Sequence, residues 1–118
     1  MRYAGMARRL RRAAAGAAAL VAALSGTSAL ANDPVQLAQG KKLFTSADPP
    51  CALCHTLKDA GTNGQVGPPL DDLKPSAEMV LTALREGVGV MPSYREKLSE
   101  AQRLALARYV SKVTGGGN

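Results

Sequence analysis

Beyond residue 32 of this 118-residue chain, apolar residues recur three and four positions apart in three stretches, and no stretch alternates strictly between apolar and polar. That is the period of helices, not of strands. The first stretch opens at Asp33-Pro34-Val35-Gln36. Asp33 is the expected N-cap, Pro34 takes the first helical position, and Gln36 is placed to complete a capping box. Leu37, Gly40, Lys41 and Phe44 follow about one turn apart, so Gly40 and Phe44 share a face. Asp48-Pro49-Pro50 ends this helix.

A glycine-rich loop over residues 58–73 follows, containing Asn63-Gly64 and Gly67-Pro68-Pro69-Leu70. The second helix is expected from Ser76 as N-cap to Gly87, with Met79, Val80, Ala83 and Leu84 as its apolar stripe. The third begins at Ser99-Glu100-Ala101-Gln102, which reads as a capping box, and presents Leu106, Tyr109, Val110 and Val113 at i, i+3, i+4 and i+7. It is expected to end by Gly115, with residues 114–118 a frayed tail. No internal repeat or low-complexity linker divides the chain. The pattern predicts one small all-α domain.

The N-terminal residues read differently. Arg2, Arg8, Arg9, Arg11 and Arg12 precede an apolar run over residues 13–24, and Ala29-Leu30-Ala31 forms a small-residue cleavage site. This is the pattern of a secretory signal peptide, residues 1–31, cleaved after Ala31. The run is shorter than the roughly 20 apolar residues of a membrane span, and Ser25-Gly26-Thr27-Ser28 interrupts it, so no stable span is expected in the mature protein. Arg8-Arg9 has a twin-arginine look, but the flanking pattern is weak.

Removing the leader changes the electrostatics. The whole chain carries a net charge of +6, but residues 32–118 keep ten Lys/Arg against nine Asp/Glu, a net of +1. The basic balance therefore gives no reason to expect a nucleic-acid partner. The mature segment has one Phe, two Tyr and no Trp. A domain so small and so poor in large side chains needs a staple.

The staple is named by Cys51-Ala52-Leu53-Cys54-His55, which contains the chain's only cysteines and only histidine. C-x-x-C-H is the attachment signature of a c-type haem. Two thiols three residues apart can each add to a porphyrin vinyl group, and the histidine that follows is held beneath the iron as an axial ligand. A thioredoxin-like dithiol requires a preceding strand, which Asp48-Pro49-Pro50 is not. A zinc site requires about two further Cys or His ligands, and a plain disulfide leaves His55 unexplained.

An electron carrier keeps both axial positions filled, and with no second histidine the candidate is methionine. Met1 and Met6 lie in the leader. Met79 falls on a helical apolar stripe, where methionine fills core. Met91 lies in Gly87-Val88-Gly89-Val90-Met91-Pro92, a glycine-rich loop pinned by Pro92, and is the candidate distal ligand. A soft thioether favours Fe(II), so His55/Met91 ligation raises the reduction potential above that of a bis-histidine haem.

These residues make the chain resemble the class I c-type cytochromes over residues 33–113. The resemblance rests on Gly40 and Phe44, Cys51-x-x-Cys54-His55, Gly67-Pro68-x-Leu70, Met91-Pro92 and Tyr109. It implies a small fold of three to four short helices wrapped around one covalently attached haem. The first and last helices would cross closely at Gly40, Phe44 and Tyr109, and Gly67, Pro68 and Leu70 would border the haem. The Pro68 carbonyl would accept from His55 Nδ1–H. Pro69 stands where the family often has Asn, so that amide's role is absent.

The run Gly-Val-Met-Pro-Ser-Tyr over residues 89–94 is most similar to the small cytochromes that accept electrons from periplasmic sulfite dehydrogenases, which are molybdenum enzymes. The resemblance thus implies a periplasmic electron-transfer protein rather than an enzyme, with a dehydrogenase as donor and an oxidase or another cytochrome as acceptor. Lys41, Lys42, Lys58 and Arg95 are candidates for transient docking, although solvated surface is their ordinary role. Tyr94, Arg95 and Lys74 are candidate propionate partners. The competing readings are a haem peroxidase or gas-binding protein, which needs a displaceable distal ligand, and a thiol–disulfide oxidoreductase, which needs free Cys51 and Cys54.

Overall fold

The structure is a computed structural model that describes residues 16–19 and 33–117. The leader expected over residues 1–31, with its cleavage site, lies almost wholly outside the described residues. Among these, no helix is long and apolar enough to cross a membrane.

The three expected helices form as α1 (Pro34–Ser46), α4 (Ala77–Glu86) and α5 (Glu100–Thr114). Between α1 and α4 lie two single turns, α2 (Cys51–Cys54) and α3 (Leu70–Leu73), and a minimal antiparallel pair, β1 (Thr56–Leu57) with β2 (Thr62–Asn63). The fold is a small helical one with five helical elements and little strand. A four-residue turn is too short to show a hydrophobic period, so α2 and α3 went unseen in the apolar pattern. The β pair is set by Thr62, whose hydroxyl accepts from Leu57 N–H and donates to the His55 carbonyl.

Capping follows the local sequence with one exception. Ser76 accepts from Met79 N–H, and Ser99 and Gln102 form the reciprocal capping box. Asp33 caps α1 by accepting from Val35 N–H, but Gln36 does not complete a box. Its Oε1 accepts instead from Arg108 Nη1 of α5 at 2.8 Å. A cationic donor on a crossing helix makes the stronger bond.

Residues 114–117, expected as a frayed tail, are hydrogen-bonded to α5. Thr114 completes α5 and donates to Val110 O. Gly116 N–H bonds to Ser111 O, a Schellman-type ending.

The core forms where α1 crosses α5. A side chain at Gly40 would place its Cβ 2.5 Å from Tyr109 Cβ and closer still to the Ala105 carbonyl oxygen. Only glycine allows this approach. One turn on, Phe44 and Tyr109 meet edge to face with ring centroids 6.4 Å apart. Both are buried, together with Leu57, Leu84 and Leu106. At the edge of this contact, Tyr109 donates its hydroxyl to Asp59 Oδ2 at 2.6 Å, and Lys41 lies 3.3 Å from the same oxygen. The Tyr109 hydroxyl first, and Lys41 after it, hold the Asp59 carboxyl below its ordinary pKa. Burial, then the neighbouring carboxylate, pushes Tyr109 up.

Two outcomes are expected. Gly40→Ala should destabilise the holoprotein by about 1–3 kcal/mol through overpacking, seen in a thermal melt as a midpoint lower by at least ~4 °C. For Asp59, the folded pKa is depressed. Its contribution is therefore present above the ordinary carboxylate value of 3.8 and is lost as pH falls below it. The stability gap between wild type and Asp59→Asn, measured by denaturant titration, should shrink as pH falls below the ordinary carboxylate value. Asp59 is well exposed, so solvent screening keeps the gap small.

Candidate functional site

The turn α2 begins directly after Asp48-Pro49-Pro50, with Pro50 as its N-cap. In one helical turn the residues at i and i+3 share a side, so Cys51 and Cys54 face the same way, and both border one cleft. His55 leaves the turn with extended backbone (φ −118°, ψ 135°), its N–H still bonded to Cys51 O. The β2 return then passes against this turn at backbone contact, since a Cβ at Gly64 would fall 2.5 Å from His55 N and Cys54 C. Thr56 Oγ1 donates to Gly64 O, and Gly67 N–H bonds to Cys54 O at 2.7 Å.

This folding-back brings Gly67-Pro68 over the imidazole. His55 Nδ1 lies 2.8 Å from Pro68 O. A side chain at Gly67 would put its Cβ 2.5 Å from His55 Cε1, so the backbone must be bare there. With Nδ1–H donated to the carbonyl, the lone pair of the neutral ring resides on Nε2, available to a metal. Leu70, buried at the start of α3, continues the same wall.

The opposite wall comes from α4 and the segment after it. Gly87 ends α4 with φ 74°, and Val88 and Met91 exchange backbone hydrogen bonds at 3.0 and 2.9 Å. Tyr94 N–H bonds to Leu84 O at 2.7 Å. Met91 thus borders the cleft on a short, closed turn. Tyr94 is buried and also lines the cleft, and its hydroxyl donates to Pro49 O. That bond ties the Met91 side to the residues before Cys51. Burial, then the charges of Cys51, Cys54 and Asp48, pushes the Tyr94 hydroxyl up to about 12, so it remains a donor. The floor is made by Phe44 of α1 and by Leu106 and Val110 of α5.

The cleft has a volume of about 410 Å³, in the range that holds organic cofactors. No charged side chain among the described residues lines it. Apolar walls, two thiols on one side and an oriented imidazole fit a covalently attached haem. They do not fit the alternatives. No group of three or more His, Cys, Asp or Glu among the described residues is arranged for a metal ion, which leaves zinc without a ligand set. Burial pushes the Cys51 thiol up to about 11, the reverse of the lowered pKa that a redox dithiol requires.

Cys51, Cys54, His55, Gly67, Pro68, Leu70 and Met91 all border this one cleft. Met79 departs from its expected place. It borders the cleft and is not part of the buried helical core. Leu84, on the same stripe, is buried in that core and borders the cleft as well. Of the candidate propionate partners, only Tyr94 lines the cleft, and its hydroxyl is already engaged; Lys74 and Arg95 are exposed. Lys41, Lys42 and Lys58 are exposed as well, and Lys41 is paired with Asp59. The Tyr94–Pro49 bond had no signal in the sequence, because its partners are 45 residues apart.

Residues 35–110 match the family model described as cytochrome c oxidase, cbb3-type, subunit III. Among solved structures, the chain is similar to the c-type cytochrome SorU from Sinorhizobium meliloti. The two are 49% identical with a TM-score of 0.66, over 70% of this chain and 95% of that one. The chain therefore belongs to the cytochrome c family that the model describes, and is a class I c-type cytochrome: an electron carrier, not an enzyme, with a covalently bound haem c.

Proposed function

We propose that this protein is a periplasmic one-electron carrier, exported by residues 1–31, in which Cys51 and Cys54 form the haem thioethers and His55 and Met91 are the axial ligands. The observation that carries the reading is the hydrogen bond from His55 Nδ1 to Pro68 O at 2.8 Å, which turns Nε2 toward a cleft that both cysteines and Met91 border. When bound, the haem supplies the one-electron Fe(III)/Fe(II) couple.

The residues of the chain do the rest. Pro68 holds the imidazole in one tautomer and raises its basicity as a ligand. Leu70, Leu84, Leu106 and Val110 exclude water, and their low-dielectric wall disfavours the extra positive charge of the oxidised state. Met91 offers a neutral, soft sulfur from a closed turn, so little need move when the charge changes.

The donor in this reading is a periplasmic molybdenum sulfite dehydrogenase, and the acceptor is an oxidase or a larger cytochrome. Support comes from the Gly-Val-Met-Pro-Ser-Tyr run at residues 89–94. The likeness to SorU, of which this chain covers 95%, supports a small electron carrier of the same kind. The exposed Lys42, Lys58 and Arg95 supply positive charge for a transient encounter.

Two outcomes test this. Holoprotein from the periplasmic fraction, with an intact mass matching residues 32–118 plus one haem, should show a weak far-red ferric band of thioether ligation. Met91→Ala should abolish the band, lower the reduction potential and let CO bind the reduced protein, whereas Met79→Ala should leave all three as in wild type. Loss of the band in Met79→Ala alone would transfer the distal role to that residue. In stopped-flow mixing, a sulfite dehydrogenase with sulfite should reduce the protein within its own turnover time. Reduction much slower than turnover would remove sulfite oxidation from the reading and leave the electron carrier intact.

A further inference from the structure

The Met91 turn is held on its N-terminal side by the exchange of hydrogen bonds with Val88. On its other side it is held through Tyr94, three residues on, whose amide is bonded to Leu84 O and whose hydroxyl is bonded to Pro49 O. The remaining polar group of Tyr94, its carbonyl, faces Arg103 of α5. Arg103 is only 8% exposed. Its Nη1 donates to Leu98 O at 2.6 Å and Arg95 O at 2.9 Å, and reaches Tyr94 O at 3.5 Å.

This guanidinium is a costly thing to bury. The described ion pairs are Lys41–Asp59 and Arg85–Glu100, so Arg103 has no carboxylate among them. Its Nε is buried with no hydrogen-bond partner. An apolar side chain of similar length would fill the space without that desolvation. Packing therefore gives no reason for a cation here, but three carbonyls converging on one nitrogen do. Residues 103, 106 and 110 share one face of α5, and Leu106 and Val110 line the cleft. Arg103 continues that stripe beneath the turn formed by residues 94–98.

We propose that Arg103 is the positioning residue of the distal segment. Its charge gathers the carbonyls of residues 94, 95 and 98 into one turn, and through Tyr94 this keeps Met91 at the cleft. The proposal rests on the reading of Met91 as distal ligand. The turn also has hydrogen bonds of its own, from Lys97 and Leu98 N–H to Tyr94 O. Losing the guanidinium therefore loosens the segment locally while α1, α4 and α5 stay folded.

The test compares holoprotein of wild type, Arg103→Met, Arg103→Lys, Met91→Ala and Arg108→Met. Arg108 is on the same helix but reaches Gln36 of α1. In a guanidinium chloride titration, the far-red ferric band and the helical far-ultraviolet signal of wild type should vanish together. In Arg103→Met the band should vanish at clearly lower denaturant than the helical signal. The loss of charged hydrogen bonds should also speed CO binding to the reduced protein by roughly tenfold, through local opening. Arg103→Lys should fall between, and Arg108→Met should match wild type in both readouts.

If the two signals of Arg103→Met still vanish together and its CO rate is that of wild type, Arg103 is merely structural and the proposal is overturned. Should Arg103→Met yield no folded holoprotein, the same comparison on Arg103→Lys decides, with coincident signals again overturning it. A far-red band that survives in Met91→Ala would instead overturn the ligand reading itself, whatever the Arg103 variants show.

Discussion

The crossing of α1 over α5 at Gly40 is the contact on which the rest of this cytochrome depends. With no Cβ at that position, the α1 backbone rests against the Ala105 carbonyl and Tyr109 Cβ. The two helices then serve as one rigid frame. The exit of α1 delivers Pro50 and the Cys51 turn to one side of the frame, and α5 offers Leu106 and Val110 as the floor of the cleft. If the helices stood further apart, the Phe44–Tyr109 edge contact and the Tyr109–Asp59 hydrogen bond would be lost together.

On this frame the two walls are built by different physics. The His55 wall is backbone folded tightly on itself, with Gly64 against the Cys54–His55 peptide and Gly67 against the imidazole. Such contacts leave the ring little freedom, which suits a ligand whose orientation sets the electronics of the iron. The Met91 wall is a turn held at its margins by hydrogen bonds to Leu84 and Pro49. The chain has few aromatic residues to build a separate core. Much of the apolar surface that would ordinarily make a core lines the cleft instead.

The helices α1, α4 and α5 were legible in the chain because their signals are local: Asp33-Pro34, Ser76, the Ser99/Gln102 box, Gly87 and Gly115 each act within one turn. The convergence of Cys51, Cys54 and His55 on the cleft was legible for the same reason, since chemistry that needs two thiols and an imidazole on one turn must write them within five residues. Gln36 shows the limit. Its spacing fits a capping box, but Arg108, 72 residues away, offers a charged donor that the local pattern cannot anticipate. Met79 shows it again, because a helical stripe does not say which of its members meets the neighbouring helix and which meets the cleft.

By itself, the sequence determined the class of the protein, the haem attachment and the places where the chain turns, all through interactions between residues close together along it. Tertiary structure alone decided the walls of the cleft, the bond between Tyr94 and Pro49, the place of Met79 at the cleft and the burial of Arg103 beneath the 94–98 turn. These depend on how the helices rotate and cross. That arrangement is set by the packing of Gly40, Phe44, Leu84 and Tyr109 together, and no stretch of a few residues carries it.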